Sequence, residues 1–581
     1  MGEEQELRTL VRRLALENAA QHGGKTMAGV VAGKVLAQRA DLRQRAREVM
    51  TIVAQVADEV NNQSPDEQKR LLSIMHPEGA SKTGVSKEQR RLPPLPNAEK
   101  YSMIHVRFCP NPDGALHLGS ARAAILCDEY AQMYDGRFTL RFDDTDPKTK
   151  SPITEAYGWI REDLKWLRID WDDEYYQSDR LSIYYGFART LLQTGEAYVC
   201  TCRPEQFRGF VATMSPCPCR SLLVEEQLRR WEMMIDGGYK EGEAVVRIKT
   251  DLNHPNPAVR DWPALRIIDV EQHPHPRTGT KYRVWPLFAF CCGIDDHEIG
   301  ITHVIRGKEH LTNSVRQSFL YKHLGWAEPE AVHYGRLRIV GTVLSKSKMR
   351  EGIAGGDYQG WDDPRLGTLM ALRRRGFLPE TIRQLIVDVG PKPVDATISW
   401  SNIESNDRKL LDPVASRYFF VPEPIALRVT GLNKTFSATP RLHPGRAEHG
   451  HRLLEVKSED GEAILMVSGR DLKLLQLGSF IRLMELFNVQ VEAAGDQVIV
   501  ARFTGESYQE ARDQGAPLIQ WVPADDNIVA HLVMPDASTV EGLVEGTCRS
   551  LKVDDHVQFE RFGFARIDAT DERIRAYYTH R

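Results

Sequence analysis

The chain has 581 residues, 27% charged and 41% hydrophobic, and its 76 Lys and Arg against 80 Asp and Glu leave a net charge of −4. This ordinary globular balance excludes a disordered chain, a fibrous protein, a disulfide-rich mini-scaffold and a uniformly basic nucleic-acid coat, but not a nucleic-acid partner held by a local basic face. At ~100–200 residues per domain, the length allows roughly three to five domains.

No stretch approaches the ~18 apolar residues of a membrane span, and MGEEQELRTLVRR lacks the apolar core of a signal peptide. The expectation is a cytoplasmic protein with no membrane partner. Its nine cysteines are then reduced, and serve as core, catalytic or metal-binding thiols rather than disulfides.

In chain order, apolar residues at helical spacing in ELRTLVRRLALENAA and LRQRAREVMTIVAQVADEV predict a helical domain over 1–75. Within it, Gly23-Gly24-Lys25-Thr26 imitates the end of a P-loop. The earlier Gly of that motif is replaced by Ala19 and no strand precedes it, so a helix-to-helix turn is the better reading. Residues 76–100 mix Gly, Pro, Ser and charge, as a linker does. From Tyr101, strand runs (MIHVRFCP, FTLRFDD, ITHVIRG) alternate with helix patterns (ARAAILCDEYAQMY, ITEAYGWIREDLKWL), which predicts an α/β doubly wound core over 101–345. A stretch from about 199 to 284, with cysteines, prolines and short strands, reads as an insertion. Helical patterns form a connector over 346–411. From 412 to 581, β-branched runs alternate with Gly, Asp and Pro turns, as in an all-β, barrel-like region.

Three constellations carry chemistry. Pro110-Asn111-Pro112-Asp113-Gly114-Ala115-Leu116-His117-Leu118-Gly119-Ser120 follows the first strand and opens a helix. Ligands bind at the carboxyl ends of such strands, and a helix N-terminus favours phosphate. Gly119 permits close backbone approach and His117 can touch a phosphate or adenosine; alone, the segment equally describes a capped helix. Thr342-Val343-Leu344-Ser345-Lys346-Ser347-Lys348 can form a loop that brings positive charge to a developing pyrophosphate, or a solvated basic turn. Cys200-Thr-Cys202 and Cys217-Pro-Cys219, 14 residues apart inside the insertion, fit a closed structural zinc site; four packed thiols are the alternative.

HLGS resembles the H-I-G-H signature and VLSKS the K-M-S-K-S signature of class I aminoacyl-tRNA synthetases, in that order and about 220 residues apart. RFCPNPDGALHLGSARAAIL, LRFDDTDP, GITHVIRGKEH, VLSKSK and GWDDPRL narrow the likeness to the glutamyl/glutaminyl branch. GWDDPRL, RRRG and the β-rich tail resemble its archaeal and eukaryotic arm. The resemblance covers about 101–581 and implies a Rossmann-type core with an inserted acceptor-end domain and an anticodon-binding β region. It implies ATP, Mg²⁺, L-glutamate and tRNA-Glu as reactants, with tRNA-Gln a second candidate, and the reaction is two-step ligation through glutamyl-adenylate.

Matched residue by residue, the resemblance assigns Pro110, Asn111, His117, Gly119, Ser120, Leu344, Ser345, Lys346 and Ser347 to ATP, with His117, Gly119, Ser120 and Lys346 catalytic. Arg107, Asp143, Phe288 and Arg306 are assigned to glutamate. Arg306, where glutaminyl enzymes have an uncharged residue, looks like the receptor of the γ-carboxylate, and Asp143 like that of the ammonium. By itself, Asp143-Asp144-x-Asp146 equally fits a divalent-metal cluster or a solvated turn. Some glutamyl synthetases carry zinc in this insertion, which supports zinc at Cys200, Cys202, Cys217 and Cys219. Two positions depart from the pattern: Ser120 replaces the last His, with a hydroxyl still able to donate to phosphate, and Phe288 replaces a common Tyr. Asp295, Asp296, His297 and His303 form a weaker candidate metal set. Arg373, Arg374 and Arg375 are candidates for tRNA phosphates, and Trp521, Phe562 and Phe564 for anticodon bases, with core packing the safer reading. The alternatives are a glutaminyl-tRNA synthetase, which Arg306 opposes, and a non-catalytic tRNA-binding relative, which His117, Gly119, Lys346 and Asp143 oppose.

Overall fold

The computed structural model describes residues 2–21, 25–39, 42, 45–64, 67–68, 70–71, 92–495 and 498–581. It divides into two compact units, 1–91 and 92–581. In the first, helices α1 (Gly2–Gln21), α2 (Ala28–Gln38) and α3 (Ala46–Asn61) bury the apolar faces that their spacing lays out, with Val11, Leu14, Val31, Val35, Val53 and Val60 at the centre. Gly23 and Gly24 lie outside the described residues, as does most of the expected linker. Thr26, between α1 and α2, is pinned by the side chains of Asn18 and Asn61. The element that precedes the segment is the helix α1 rather than the strand a P-loop follows.

The second unit is built on parallel strands. β1 (His105–Phe108), β2 (Arg137–Phe142) and β3 (Asp173–Tyr176) pair in that order, with α4 (Leu118–Met133) and α5 (Thr154–Trp166) as crossovers. Later in the chain, four antiparallel strands, β4 (Ala197–Cys200), β5 (Val245–Ile248), β6 (Pro263–Ile267) and β7 (Val284–Pro286), form the inserted sheet. Its own core is built around Trp231, Trp262 and Trp285. Helix α6 (Phe288–Glu298) returns the chain to the parallel layer. There β8 (His303–Gly307) and β9 (Glu330–Tyr334) pair in parallel across α7 (Leu311–Leu324). β8 lies beside β1, joined through Thr302 and His105. The order of strands therefore reverses between β1 and β8, with β2 and β3 added on one side and β9 on the other, the place where open α/β sheets bind ligands.

Helices α8 (Lys346–Ala354), α9 (Leu369–Arg375), α10 (Pro379–Val389) and α11 (Trp400–Leu411) make the connector. It is not purely helical: Leu337–Ile339 pairs in parallel with Ala396–Ile398. The C-terminal region holds two nearly closed seven-stranded sheets. In one the spatial order is Ser416–Tyr418, His556–Phe559, Gly563–Ala569, Ile574–His580, Asn527–Val533, Thr539–Glu545, Phe420–Pro422. In the other it is Leu518–Ile519, Phe480–Leu483, Asn488–Ala494, Val498–Gly505, Pro424–Thr430, Glu462–Ser468, Trp521–Pro523. Glu423 turns the chain from the first sheet to the second at positive φ (52°). Among the described residues, no helix is long and apolar enough to cross a membrane.

Candidate active site

At the reversal point, a cavity of about 270 Å³ is lined by residues from β1, the segment just after β2, β8, β9, α4, α6 and the start of α8, including Arg107, Asp143, Phe288, Arg306, His117 and Lys346. It is small beside the ~300–1,000 Å³ pockets that hold drug-sized ligands, and suits an amino acid. Its floor is a buried charge lattice. Arg107 donates through two nitrogens to Asp296 (3.1 and 3.2 Å). Arg141 donates to Asp143 (3.0 Å) and Asp296 (2.9 Å). Arg180 donates to Asp295 (2.7 Å), which also accepts from Tyr184 (2.6 Å) and Gln177 (3.1 Å).

Burial works against both key carboxylates. Arg107 and Arg141 nevertheless hold Asp296 below the usual carboxylate range. At Asp143, burial wins over Arg141 and pushes the carboxyl up, and its Oδ2 receives only the Cys292 thiol (3.2 Å).

Arg306, 7% exposed, has no carboxylate bound to it. Its Nη2 donates to Ser314 Oγ (2.7 Å) and Gln317 Oε1 (2.8 Å). Its Nε and Nη1 are buried with no partner. Desolvation, with Arg107 nearby, lowers its pKa. A buried guanidinium with idle donors beside a cavity can receive an anion. Phe288 stacks at a tilt on His310, with ring centroids 4.7 Å apart.

The segment after β1 folds into a helix cap. His117 is the N-cap of α4; its Nδ1 accepts from the Ser120 amide (3.2 Å), while Ser120 Oγ accepts from the His117 amide (2.9 Å). The Ser120 hydroxyl proton is donated to the His117 carbonyl (2.8 Å). The expected donation from Ser120 to a phosphate therefore meets a competitor: the cap already uses that proton. Burial, with help from Lys346, pushes the His117 pKa down to about 4, so the imidazole is neutral at pH 7. A Cβ on Gly119 would stand 3.0 Å from the His117 ring, so glycine is what lets that ring fold over the helix start. Gly114 is tighter: a Cβ there would strike the Trp361 ring at 2.4 Å.

Lys346, the first residue of α8, donates to the Asn111 carbonyl and to Asp113 Oδ1, both at 2.9 Å. Burial lowers its pKa against the pull of Asp113. Arg350, one turn on, lies 3.7 Å from Asp113 and donates to its carbonyl. In the inserted domain, Cys200, Cys202, Cys217 and Cys219 place their sulfurs within 4.8 Å of one another. Cys200–Cys217 and Cys202–Cys219 are each 3.9 Å apart. Four thiolates around zinc at ~2.3 Å stand roughly 3.8 Å apart.

Residues 103–413 match the family described as tRNA synthetases class I (E and Q), catalytic domain, and 415–504 and 518–568 match its two anti-codon binding domains. The chain belongs to the class I tRNA synthetases of the E and Q group. It is 51% identical to a glutamate–tRNA ligase of Pyrococcus furiosus and 50% identical to one of Thermococcus kodakarensis, each over 99% of this chain and all of the relative. It is 45% identical to a glutamate–tRNA ligase of Methanopyrus kandleri, with both chains fully covered.

Against that family background, the fold gathers most of the expected residues and separates some. Pro110, Asn111, His117, Gly119, Ser120 and Lys346 line the cavity with Arg107, Asp143, Phe288 and Arg306. Leu344, Ser345 and Ser347 do not. Leu344 packs on the core, and the two serine hydroxyls lie 3.1 Å from each other. The second metal set dissolves: Asp295 and Asp296 hold arginines, His297 stacks on Trp326 and His303 bonds the Pro96 carbonyl. Asp144 accepts from Tyr157 and Ser178, and Asp146 from Arg266, so Asp143 to Asp146 is not a metal cluster either.

The three-arginine run is a strut rather than a free basic face. Arg373 lies beside Glu162 (3.5 Å), Arg374 bonds Asp362, and the buried Arg375 bonds the Thr579 carbonyl. Trp521 and Phe564 are core, and Phe562 packs edge-on against Phe420. Sequence reasoning missed Arg141, Asp113, Ser314 and Gln317. Only Arg141 left a local sign, a charge inside the apolar strand FTLRF, where a buried partner is obligatory.

Proposed function

We propose that this protein ligates L-glutamate to tRNA-Glu through glutamyl-adenylate, with ATP as the energy source. The observation that carries the reading is Arg306, a buried guanidinium with two idle donors at the wall of an amino-acid-sized cavity. Arg107, Arg141 and Arg180 each bond an aspartate, whereas Arg306 has no bonded carboxylate. The γ-carboxylate of glutamate would compensate that charge, whereas the neutral amide of glutamine would not.

Arg306 takes the γ-carboxylate through one of its idle nitrogens, Nη1 or Nε. Asp143, raised by burial, gains a compensating charge from the substrate ammonium. Arg107, tied to Asp296, and Phe288 complete the walls. An α-carboxylate oxygen attacks the α-phosphorus of ATP in line, and pyrophosphate leaves with the electrons of the broken P–O bond. The 2′-oxygen of the terminal tRNA adenosine then attacks the glutamyl carbonyl, loses its proton and displaces AMP.

The protein's part is positioning and charge neutralisation. Pro110, Asn111, neutral His117 and the α4 N-terminus seat ATP, and Gly119 allows the close approach. Lys346 moves from Asp113 to the phosphates as charge develops there, and Leu344, Ser345 and Ser347 carry that loop. Mg²⁺ enters as the counter-cation of ATP. Cys200, Cys202, Cys217 and Cys219 would hold a structural zinc ion that fixes the inserted domain. The C-terminal sheets hold the anticodon end of the tRNA, tRNA-Gln is a further candidate acceptor, and the expected compartment is the cytoplasm.

The test is ATP–pyrophosphate exchange in the presence of tRNA. Exchange dependent on glutamate and not on glutamine is expected. Exchange with glutamine alone would make the protein a glutaminyl enzyme, and none with any amino acid would make it a tRNA-binding relative. Charging purified tRNA-Glu and tRNA-Gln separately decides the acceptor range.

A further inference from the structure

The buried arginines of the pocket are held in two different ways. Arg107 and Arg141 rest on aspartates, as does the half-buried Arg180 beside them. Arg306 is gripped from behind by neutral acceptors only, the Ser314 hydroxyl and the Gln317 amide oxygen. That grip is itself braced. Gln317, 3% exposed, donates its Nε2 to the Ala289 carbonyl on α6 (3.2 Å). Ser314 Oγ lies 2.9 Å from His333 Nε2 on β9. Helix α6 comes close enough only because residue 293 is glycine: a Cβ there would meet Leu320 at 3.0 Å and Gln317 Cγ at 3.4 Å.

The guanidinium plane is therefore fixed by two bonds to one nitrogen, while Nε and Nη1 stay idle. The charge is not neutralised by a bonded anion; Asp296 acts on it only through space and is itself bonded to Arg107 and Arg141. A carboxylate at position 317 would hold the same nitrogen equally well, but it would form a buried ion pair and compete with an incoming anion. An apolar residue would release the guanidinium and leave a third donor unsatisfied.

We propose that Gln317 and Ser314 are positioning residues that set the preference for glutamate over glutamine, because they hold Arg306 in place without neutralising it. The inference rests on Arg306 being the receptor of the substrate γ-carboxylate, and the experiment separates the two. Full-length Gln317→Glu, Gln317→Leu, Ser314→Ala, Ser314→Thr and Arg306→Met are compared with the parent in steady-state charging of tRNA-Glu, with glutamate and glutamine as alternative substrates.

Gln317→Glu keeps the shape and adds the anion. It raises KM for glutamate roughly 100-fold, lowers the glutamate-to-glutamine preference by a similar factor and leaves KM for ATP in place. Gln317→Leu and Ser314→Ala raise KM for glutamate roughly tenfold, with a smaller change in kcat, and Ser314→Thr restores it. If Arg306→Met keeps the parent preference, the receptor reading itself fails. If Arg306→Met abolishes the preference while Gln317→Glu and Ser314→Ala keep the parent KM and preference, the positioning inference alone is overturned. Should Gln317→Glu fail to fold, Ser314→Ala and its Thr rescue carry the same decision.

Discussion

At the scale of single residues, the site works by controlling which charges are compensated. Lys346 is the clearest case. Its ammonium donates to Asp113 and the Asn111 carbonyl, and it lines the same cavity as the start of α4. Lys346→Ala is expected to slow adenylate formation by roughly 100- to 1,000-fold, the usual loss for a preorganised donor at a developing charge, with much less change in glutamate affinity. Rapid-quench measurement of adenylate beside equilibrium glutamate binding checks this, and equal losses in both would remove the role. That Lys346, His117 and Arg306 would meet at one site was legible, because each sits in a short motif, and all three line the same cavity. Gln317 and Ser314 were not, since a neutral amide and a hydroxyl on a helix say nothing until the guanidinium they hold is in view. Ser120 carries a feature the motif does not display: its hydroxyl lines the cavity, and its proton is donated to the His117 carbonyl in the helix cap.

At the scale of elements, helix α5 carries an unusual residue. Its buried face reads Ala156, Ile160, Asp163, Leu164, so helical spacing alone places Asp163 inside. Neither of its carboxyl oxygens completes a hydrogen bond, although the Leu116 amide lies near enough to favour the anion slightly. Burial pushes its pKa up to about 8, against the opposing charge of Arg373. A carboxyl raised by folding binds its proton more tightly in the native chain than in the unfolded one, where its pKa is about 3.9. Its contribution is therefore whole below that value and is lost as pH rises toward 8. Asp163→Asn should raise Tm, and raise it more at pH 8 than at pH 5; the same shift at both values would contradict the buried-acid reading.

The inserted sheet makes a second element-level prediction. The sulfurs already stand at the spacing of a closed tetrahedral site, so one zinc per chain is expected by elemental assay. Cys200→Ser should lose the metal and lower Tm. A metal-free parent protein of unchanged Tm would overturn it. The two C-x-C pairs were readable because the ligands come in near-neighbour pairs. The Asp295-Asp296-His297 decoy was not resolvable by spacing, because whether an acid holds a metal or an arginine depends on what faces it.

At the scale of the whole 92–581 unit, the connector and the C-terminal sheets share a joint. Arg375 and Thr579 bond each other reciprocally, Arg566 donates to the Arg374 carbonyl, and His556 Nε2 lies 3.0 Å from the Gly376 carbonyl oxygen. Gly376 closes α9 at φ 87°, and a Cβ there would meet Arg566 Cβ at 2.7 Å. Gly376→Ala costs about 1–2 kcal/mol from the backbone alone, plus the clash. It should lower Tm and raise KM for tRNA-Glu while KM for glutamate holds, since only the seating of the anticodon-binding sheets changes. An unshifted Tm, or equal changes in the two KM values, would count against the joint.

The sequence by itself determined the order of elements, the turn that opens α4, the lysine segment, the cysteine quartet and the candidacy of Arg306, because each is written in periodicity or in a motif a few residues long. Only the tertiary structure decided how the charges are shared. Arg141 and Asp296 are 155 residues apart, and Arg373 to Arg375 meet their partners on α5, on the segment before α9 and in the final strand. Burial makes an unpaired charge expensive, so every buried arginine must find an acceptor. Which acceptor it finds, and whether its charge is left for a substrate, depends on elements brought together only by folding.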